Sequence, residues 1–252
     1  MSAFADALGR VPPLLAAHVL LAAAALALGV AISLPLAIWS VRQTGVARVA
    51  LGLASLVQTI PALALLALFY PLLLTLASLG VPALGFLPSL LALTLYAVLP
   101  VLRNGIAGLR GIDPAVIEAA DAVGMTSAQK LRLVEAPLAL PVVVAGIRTA
   151  AVWTIGAATL STTVGAASLG DLIFAGLQTQ NWALVLAGCL AAAALALAAD
   201  GLIGLIERGI RERRRGLWVG SALALLAGVL AATGPLWATR QRTVVVGAKN
   251  FS

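Results

Sequence analysis

The longest polar passage of this sequence, residues 113–137, has the residue types and spacing of a surface that docks onto another protein. Asp113 predicts the N-cap of a short helix, and Gly124 predicts its C-terminal stop, because glycine adopts a positive φ without penalty. Thr126, followed three residues later by Gln129, predicts a capping box and a second helix. The passage therefore predicts a helix, a glycine turn and another helix.

Four residues of the first predicted helix suit contact with a partner protein. Ala119 and Ala120 have small side chains, so another protein surface can approach that face of the helix closely. Glu118 and Asp121 offer carboxylates to basic groups of that partner. We therefore expect this passage to make mechanical contact with a partner protein and not to catalyse a reaction.

The sequence offers no arrangement of side chains that indicates an enzyme. It contains one histidine and one cysteine, Cys189, which lies inside an apolar run. Asp171, Asp200 and Glu207 are scattered acids without a convergent nucleophile, base or metal ligand. A glycine-rich phosphate loop with Lys and Ser or Thr is also missing from the sequence. We expect no catalysis, metal or cofactor in this chain.

Composition indicates a membrane protein. Hydrophobic residues make up 62% of the 252 residues, charged residues only 10%, and the mean hydropathy is +1.09. Soluble domains are about half apolar and about a quarter charged, and a membrane span needs about 20 apolar residues. These values predict an all-α polytopic bundle with about six transmembrane helices. The predicted spans are residues 14–41, 49–74, 88–102, 138–158, 182–206 and 217–237, with a short helix at the membrane face within 165–181.

Polar side chains inside the predicted spans are candidates for a translocation path, because such groups are costly in lipid. Gln58 and Thr59 precede Pro61, whose missing N–H interrupts the second span. The two polar residues either line a substrate path or bond the backbone groups that the interruption frees. The other candidates are Tyr96, Asn104, Trp153 and Thr154.

Three residues in the spans each have two interpretations. His18 is either proton-responsive or hydrogen-bonded to a neighbouring helix. Arg148 is the only basic residue well inside a span, and its long side chain can extend to the nearer surface. Trp153 lies away from the span ends where an aromatic belt belongs, and its role is either in the core or functional. An ion-coupled carrier would need more titratable groups at this depth than His18 and Asp200.

Lysine and arginine residues orient the predicted bundle. When residues 113–137 are placed in the cytoplasm, alternate connections put 11 of the 16 Lys and Arg residues inside. The N-terminus and the C-terminus are then both outside. The arginines at 208–215 fit this topology signal, so we expect no binding of nucleic acid.

The polar passage resembles the EAA loop of ABC importer permeases. The matching residues are Glu118-Ala119-Ala120, Gly124, Val134, Ala136 and Pro137, with Val134 and Ala136 where the family usually has Ile and Leu. Three other segments are similar to permeases of the glycine betaine, carnitine and choline family, some of which carry a fused substrate-binding domain. These segments are Gln58-Thr59-Ile60-Pro61, residues 169–174 and residues 246–251.

The resemblance implies a division of the chain into four parts. They are an extracytoplasmic lead-in at 1–13, a permease core at 14–210 with coupling helices at 113–136, an additional transmembrane helix at 211–239, and the start of an extracytoplasmic substrate-binding domain at 240–252. The β-branched run near the end predicts the first strand of that domain.

The resemblance also implies a type I ABC importer in the bacterial cytoplasmic membrane, with two permease copies and two cytoplasmic ATPases. Those ATPases would bind ATP and Mg, and a substrate-binding domain, fused or separate, would deliver the solute. The expected solutes are glycine betaine, choline and carnitine. The alternatives are another betaine-like or amino-acid-derived solute such as ergothioneine, or an ion-coupled carrier without an ATPase. The ATPase-coupling residues would be Glu118, Ala119, Ala120, Asp121, Gly124 and Pro137.

Overall fold

A computed structural model describes residues 2–238 of the chain, and no β-strand occurs within that range. The strand predicted near the end, and with it the start of a further domain at 240–252, lies outside the described residues. The helices are α1 Ser2–Gly9, α2 Val11–Arg42, α3 Thr44–Thr59, α4 Ala62–Leu74, α5 Phe86–Arg110, α6 Pro114–Ala122, α7 Ser127–Lys130, α8 Ala136–Ala158, α9 Gly170–Gln178, α10 Trp182–Arg211 and α11 Arg215–Ala238.

Five helical segments of the described range are long and apolar enough to cross a membrane. They contain α2, α5, α8, α10 and α11, so five of the six predicted spans are confirmed as helices. The third span was predicted too short: α5 continues through Asn104, the predicted exit, to Arg110. Within the described part of the lead-in predicted at 1–13, α1 and the first residues of α2 are helical and Arg10 lies between them.

The second predicted span, residues 49–74, is interrupted at Pro61 as predicted, and the bend there is large. It consists of α3 and α4, which meet at an angle of 101°. Pro61 lacks the N–H that would continue α3, and Ile60 before it is extended, with φ −75° and ψ 125°. The break therefore follows from the proline, and the pair forms either one broken span or a re-entrant loop.

Helix α5 lies at the centre of the bundle. Of its most apolar window 67% is buried, compared with 17% for α10 and 11% for α11. Small residues allow its neighbours to approach: a Cβ on Gly29 of α2 would lie 2.6 Å from the Cβ of Ala97. A Cβ on Gly146 of α8 would lie 2.5 Å from the Cβ of Asn104. Close backbone approach of this kind is typical of helix packing in membranes.

The predicted short helix within 165–181 is confirmed as α9. It packs with α1 and α10, where Ala7, Leu172 and Ala187 form a small buried cluster. Asn181 caps α10, since its Oδ1 accepts hydrogen bonds from the backbone N–H groups of Ala183 and Leu184. The connection between α8 and α10 is thereby folded back onto the bundle end.

Candidate functional site

The polar passage folds into the predicted helix, glycine turn and second helix. Asp113 caps α6, because its Oδ1 accepts a hydrogen bond from the N–H of Ala115 at 2.9 Å. Gly124 ends the helix with φ +75°, and the N–H of Met125 donates to the carbonyl of Ala120 at 3.1 Å. Only glycine adopts this left-handed conformation without strain, so the residue type and the turn agree.

One contact stabilises the start of α7, and another holds α7 against α6. The Thr126 hydroxyl accepts from the N–H of Gln129, and the Gln129 side chain accepts from the N–H of Thr126, which is the predicted capping box. The Lys130 ammonium lies 2.7 Å and 2.9 Å from the two carboxylate oxygens of Asp121. We call α6, the turn and α7 the coupling unit. It is a small projection held by local hydrogen bonds and one ion pair.

A π-helical turn, Leu131–Glu135, joins the coupling unit to α8. Pro137 follows it and has no N–H to donate to the carbonyl four residues earlier, so the regular helical bonding pattern cannot continue there. The wider turn accommodates this, with the N–H of Ala136 donating to the carbonyl of Leu131. Pro137 thus marks the junction between the projection and the membrane helix.

The coupling unit presents an exposed surface of mixed chemistry. Glu118 and Ala119 are exposed, and Val123 is 73% exposed. The expectation that Ala120 also offers an open face is wrong, because Ala120 is only 5% exposed within its own chain. The Asp121 carboxylate, which we expected to await a partner, is already paired with Lys130. The surface that the coupling unit offers to a partner protein is therefore smaller than predicted.

The polar residues at the break between α3 and α4 bond backbone groups around it. The Gln58 side chain donates to the carbonyl of Tyr96 at 3.1 Å, and the Tyr96 hydroxyl donates to the carbonyl of Ile60. The Thr59 hydroxyl donates to the carbonyl of Leu56 at 2.7 Å. The Thr59 and Tyr96 hydroxyls therefore bond carbonyls at the break, whereas Gln58 bonds a carbonyl of α5. That Gln58 and Thr59 line a substrate path stays a prediction.

Two more predicted path residues lie in the packing between α5 and α8. The Asn104 amide donates to the carbonyl of Pro100 at 2.9 Å, and its Cβ faces Gly146. Thr154 is fully buried, and its hydroxyl has no hydrogen-bond partner among the described residues. Trp153, next to it on α8, instead is 52% exposed. Of the α8 candidates, only Trp153 opens outward.

Trp153 opens onto a cleft of about 490 Å³ that sequence reasoning missed. Arg148 donates from Nε and Nη2 to the two oxygens of Asp200 at 2.7 Å and 2.6 Å, and its Nη1 lies 3.5 Å from Glu207. We call this place the charged cleft; it is lined by Arg148, Thr149, Trp153, Asp200 and Glu207.

The structure corrects two sequence interpretations at the charged cleft. Arg148 does not extend alone toward the surface, since it forms a bidentate ion pair across two helices. Asp200 and Glu207 are not scattered, because their seven-residue spacing puts both on one face of α10. That spacing, together with a lone arginine in another span, was the signal that could have revealed the cluster.

The hydrogen-bonded interpretation of His18 is confirmed. Its ring is fully buried in α2, where Nε2 donates to the carbonyl of Ile155 at 3.1 Å. Nδ1 accepts from the N–H of Leu169 at 3.3 Å. The imidazole therefore connects α2 to α8 and to the residue before α9.

Residues 29–212 match the family described as binding-protein-dependent transport system inner membrane component. The chain is 39% identical over 191 residues to the choline transport system permease protein OpuBB of Bacillus subtilis strain 168, covering 76% of this chain and 84% of that protein. It is 40% identical to the carnitine transport permease protein OpuCB of Listeria monocytogenes, over 79% and 89% of the two chains. It is 37% identical to the osmoprotectant import permease protein OsmW of Salmonella typhimurium, over 82% and 96%.

Solved structures share the fold. An inward-facing structure of the MetNI methionine ABC transporter superposes with a TM-score of 0.69 at 20% identity, covering 79% of this chain and 94% of that one. An amino acid ABC transporter solved with histidines superposes with a TM-score of 0.63 at 22% identity, covering 76% and 89%. The helical bundle, the projecting coupling unit and these matches lead to one conclusion: the chain is a multi-pass membrane permease, not an enzyme, and belongs to the family of binding-protein-dependent transport system inner membrane components.

Proposed function

We propose that this permease imports quaternary-amine compatible solutes, namely glycine betaine, choline and carnitine, at the expense of ATP hydrolysed by a separate subunit. The observation that carries the proposal is the 37–40% identity, over at least three quarters of the chain, to permeases named for choline, carnitine and osmoprotectant transport. The family match runs from residue 29, within α2, to residue 212, just after α10.

The coupling unit is the part of the chain that would contact the ATPase. Glu118, Ala119 and Gly124 lie on its exposed surface, and the Lys130–Asp121 ion pair holds its two helices together. A rigid projection transmits a displacement, whereas a flexible loop absorbs it. Closure of the ATPase on ATP and Mg would therefore move α8 through Pro137, and with it the spans that enclose the solute.

The assembly that we propose has two copies of this permease and two ATPases in the bacterial cytoplasmic membrane. The ends of α5 and α10 that carry Arg110 and Arg211 lie on one side of the bundle, together with the coupling unit. Cations collect on the cytoplasmic side of membrane proteins, so this side would be cytoplasmic. The N-terminus and the region after α11 would then be outside, where a substrate-binding domain, fused or separate, delivers the solute.

The test is uptake by the assembled importer in proteoliposomes, with its ATPase and binding domain present. We expect ATP-dependent accumulation of radiolabelled glycine betaine, choline or carnitine, and none with a non-hydrolysable nucleotide. Methionine and histidine, to which the solved structures relate, are the control solutes. Accumulation of an amino acid with no uptake of any quaternary amine would refute the solute assignment and leave the family unaffected.

Substitution of Glu118 tests the ATPase contact. Glu118→Arg reverses the charge of an exposed residue of α6, and Glu212→Arg makes the same change at an exposed position after α10. We expect only the first variant to lose the ATPase when the tagged permease is purified. Equal retention of the ATPase by both variants would contradict the proposed docking surface.

A further inference from the structure

The ion pair of the charged cleft joins two membrane helices away from their ends. Arg148 is twelve residues from the start of α8 and ten from its end, so at 1.5 Å per residue it lies about 18 Å and about 15 Å from the two helix ends. Asp200 lies about 17 Å from the nearer end of α10 by the same measure. A bilayer core is about 30 Å thick, and α10 is longer than that, so its last turns extend beyond the core. Arg148 lies near the middle of α8, and Asp200 lies about 9 Å from Ile206, the end of the predicted span.

Both partners of this ion pair are nevertheless partly open. The side chains of Arg148 and Asp200 are 38% and 36% exposed, and Trp153 beside them is 52% exposed. Charges at this depth face protein or a polar passage and not lipid, because lipid cannot solvate them. The open side of the cleft is therefore turned toward the interior of the assembly.

The groups that line the cleft offer carboxylate oxygens and an indole face to a ligand. The lining residues Arg148, Asp200 and Glu207 carry a formal charge of −1, which Arg211 brings to 0 for the whole ion-pair network. Arg211, 3.9 Å from the other oxygen of Glu207, does not line the cleft. The guanidinium donors already bond carboxylates, which leaves acceptor oxygens and an indole face for a ligand. An indole face attracts cations, including quaternary ammonium groups.

We infer that the charged cleft is a transit site for the quaternary ammonium group of the solute, on its way between the binding domain and the cytoplasm. This inference rests on the proposed function. The ammonium lies against the ring of Trp153, with the Asp200 carboxylate as its counter-charge. Arg148 is a positioning residue, because its two donors fix both oxygens of Asp200. The volume of about 490 Å³ is within the range of small-molecule sites.

The decisive quantity is the number of solute molecules imported per ATP hydrolysed by the complete importer in proteoliposomes, with choline as solute. In Trp153→Leu we expect this ratio to fall about tenfold while ATP hydrolysis continues, because the solute is no longer held during the cycle. Trp153→Phe keeps an aromatic face and should recover much of the ratio. Trp39→Leu is the matched control, since Trp39 is 54% exposed near the end of α2, away from the cleft.

A second pair of variants tests the charge. Asp200→Asn removes the counter-charge, and the double variant Arg148→Asp with Asp200→Arg restores an ion pair while turning the cation toward the ligand. We expect both to lower the ratio, the double variant most. The transit site would be overturned if the Trp153 variants imported as many choline molecules per ATP as the unmodified importer. A parallel fall of uptake and ATP hydrolysis, which leaves this ratio unchanged, would count as the same result. Failure of the unmodified importer to accumulate any quaternary amine would instead refute the proposed function.

Discussion

The coupling unit and the charged cleft each contain an ion pair between two helices, in opposite surroundings. Lys130 and Asp121 are 2.7 Å apart on the projecting coupling unit, where their side chains are 16% and 55% exposed. Arg148 and Asp200 are 2.6 Å apart between two membrane helices. A surface pair contributes about 0–1 kcal/mol to stability, because water solvates each charge alone. A charge within a membrane bundle has no water to solvate it. Breaking the pair there should therefore cost more stability than breaking the surface pair.

The largest effect that this comparison predicts is that of Asp200→Leu. The substitution leaves the Arg148 guanidinium without its bidentate partner inside the bundle, with only the Glu207 carboxylate, 3.5 Å from Nη1, as a remaining counter-charge. We expect the amount of folded permease recovered in detergent to fall severalfold, measured by size-exclusion chromatography of a fluorescent fusion.

The control for this prediction is the double variant Arg148→Leu with Asp200→Leu. Removing both charges should restore most of the folded protein, since two apolar residues replace the pair and Glu207 keeps Arg211, 3.9 Å away, as its partner. A double variant that is recovered no better than the single one would show that packing, and not charge pairing, determines the effect. The expectation that an ion pair matters more in the charged cleft than in the coupling unit would then have no support.

The second largest effect is expected for Gly124→Asp in the coupling unit. Gly124 has φ +75°, and a residue with a Cβ costs about 1–2 kcal/mol in that region of backbone space. We expect the bundle to fold, while solute uptake and stimulation of the ATPase fall at least about tenfold. Gly45→Asp, at an open position early in α3 with ordinary φ, should leave both activities intact. Loss of folded bundle in Gly124→Asp would mean that the unit is part of the core.

The coupling unit could be predicted from sequence because local signals determine it. The caps at Asp113 and Thr126 bond residues two or three positions away, and Gly124 needs only its own backbone freedom. The capping side chains, the N–H groups that they bond and the glycine of the turn all lie within one short stretch of sequence. What could not be seen is that Ala120 faces its own chain, since its burial depends on tertiary packing.

The charged cleft and the broken span could be predicted only in part, because they depend on contacts distant in sequence. Arg148 and Asp200 are 52 residues apart, and their pairing requires α8 and α10 to pack in one particular register. Pro61 indicated an interruption of the second span, yet its proline chemistry alone does not specify a bend of 101°. Five continuous spans and the apolar pair α3 and α4 followed from the length of the apolar runs, whereas the surroundings of each polar residue required the fold.

A smaller effect is expected for Thr126→Ala, which removes the capping box of α7. Loss of an N-cap costs about 0.5–2 kcal/mol, and here the loss concerns the short second helix alone. We expect faster hydrogen exchange at the amide of Gln129 with no change in the thermal midpoint of the bundle. Thr44→Ala is the matched control, because Thr44 begins α3 without a side-chain cap. Equal acceleration of exchange in both variants would argue against the capping role.

The smallest effect is expected for Lys130→Met, which breaks the surface ion pair and keeps the apolar stem of the side chain. Asp121 then remains charged in water, so the stability loss should stay below about 1 kcal/mol, a midpoint shift of at most about 3 °C. The measurement is thermal unfolding at low and high salt, and the shift should shrink at high salt because mobile ions screen exposed charges. A loss in Lys130→Met as large as that in Asp200→Leu would contradict the comparison, since the surroundings of an ion pair would then not determine its weight. If Lys130→Met and Asp200→Leu lost the same stability, and salt did not change the loss in Lys130→Met, the coupling unit would be buried against the bundle. It could then not be the surface that contacts the ATPase.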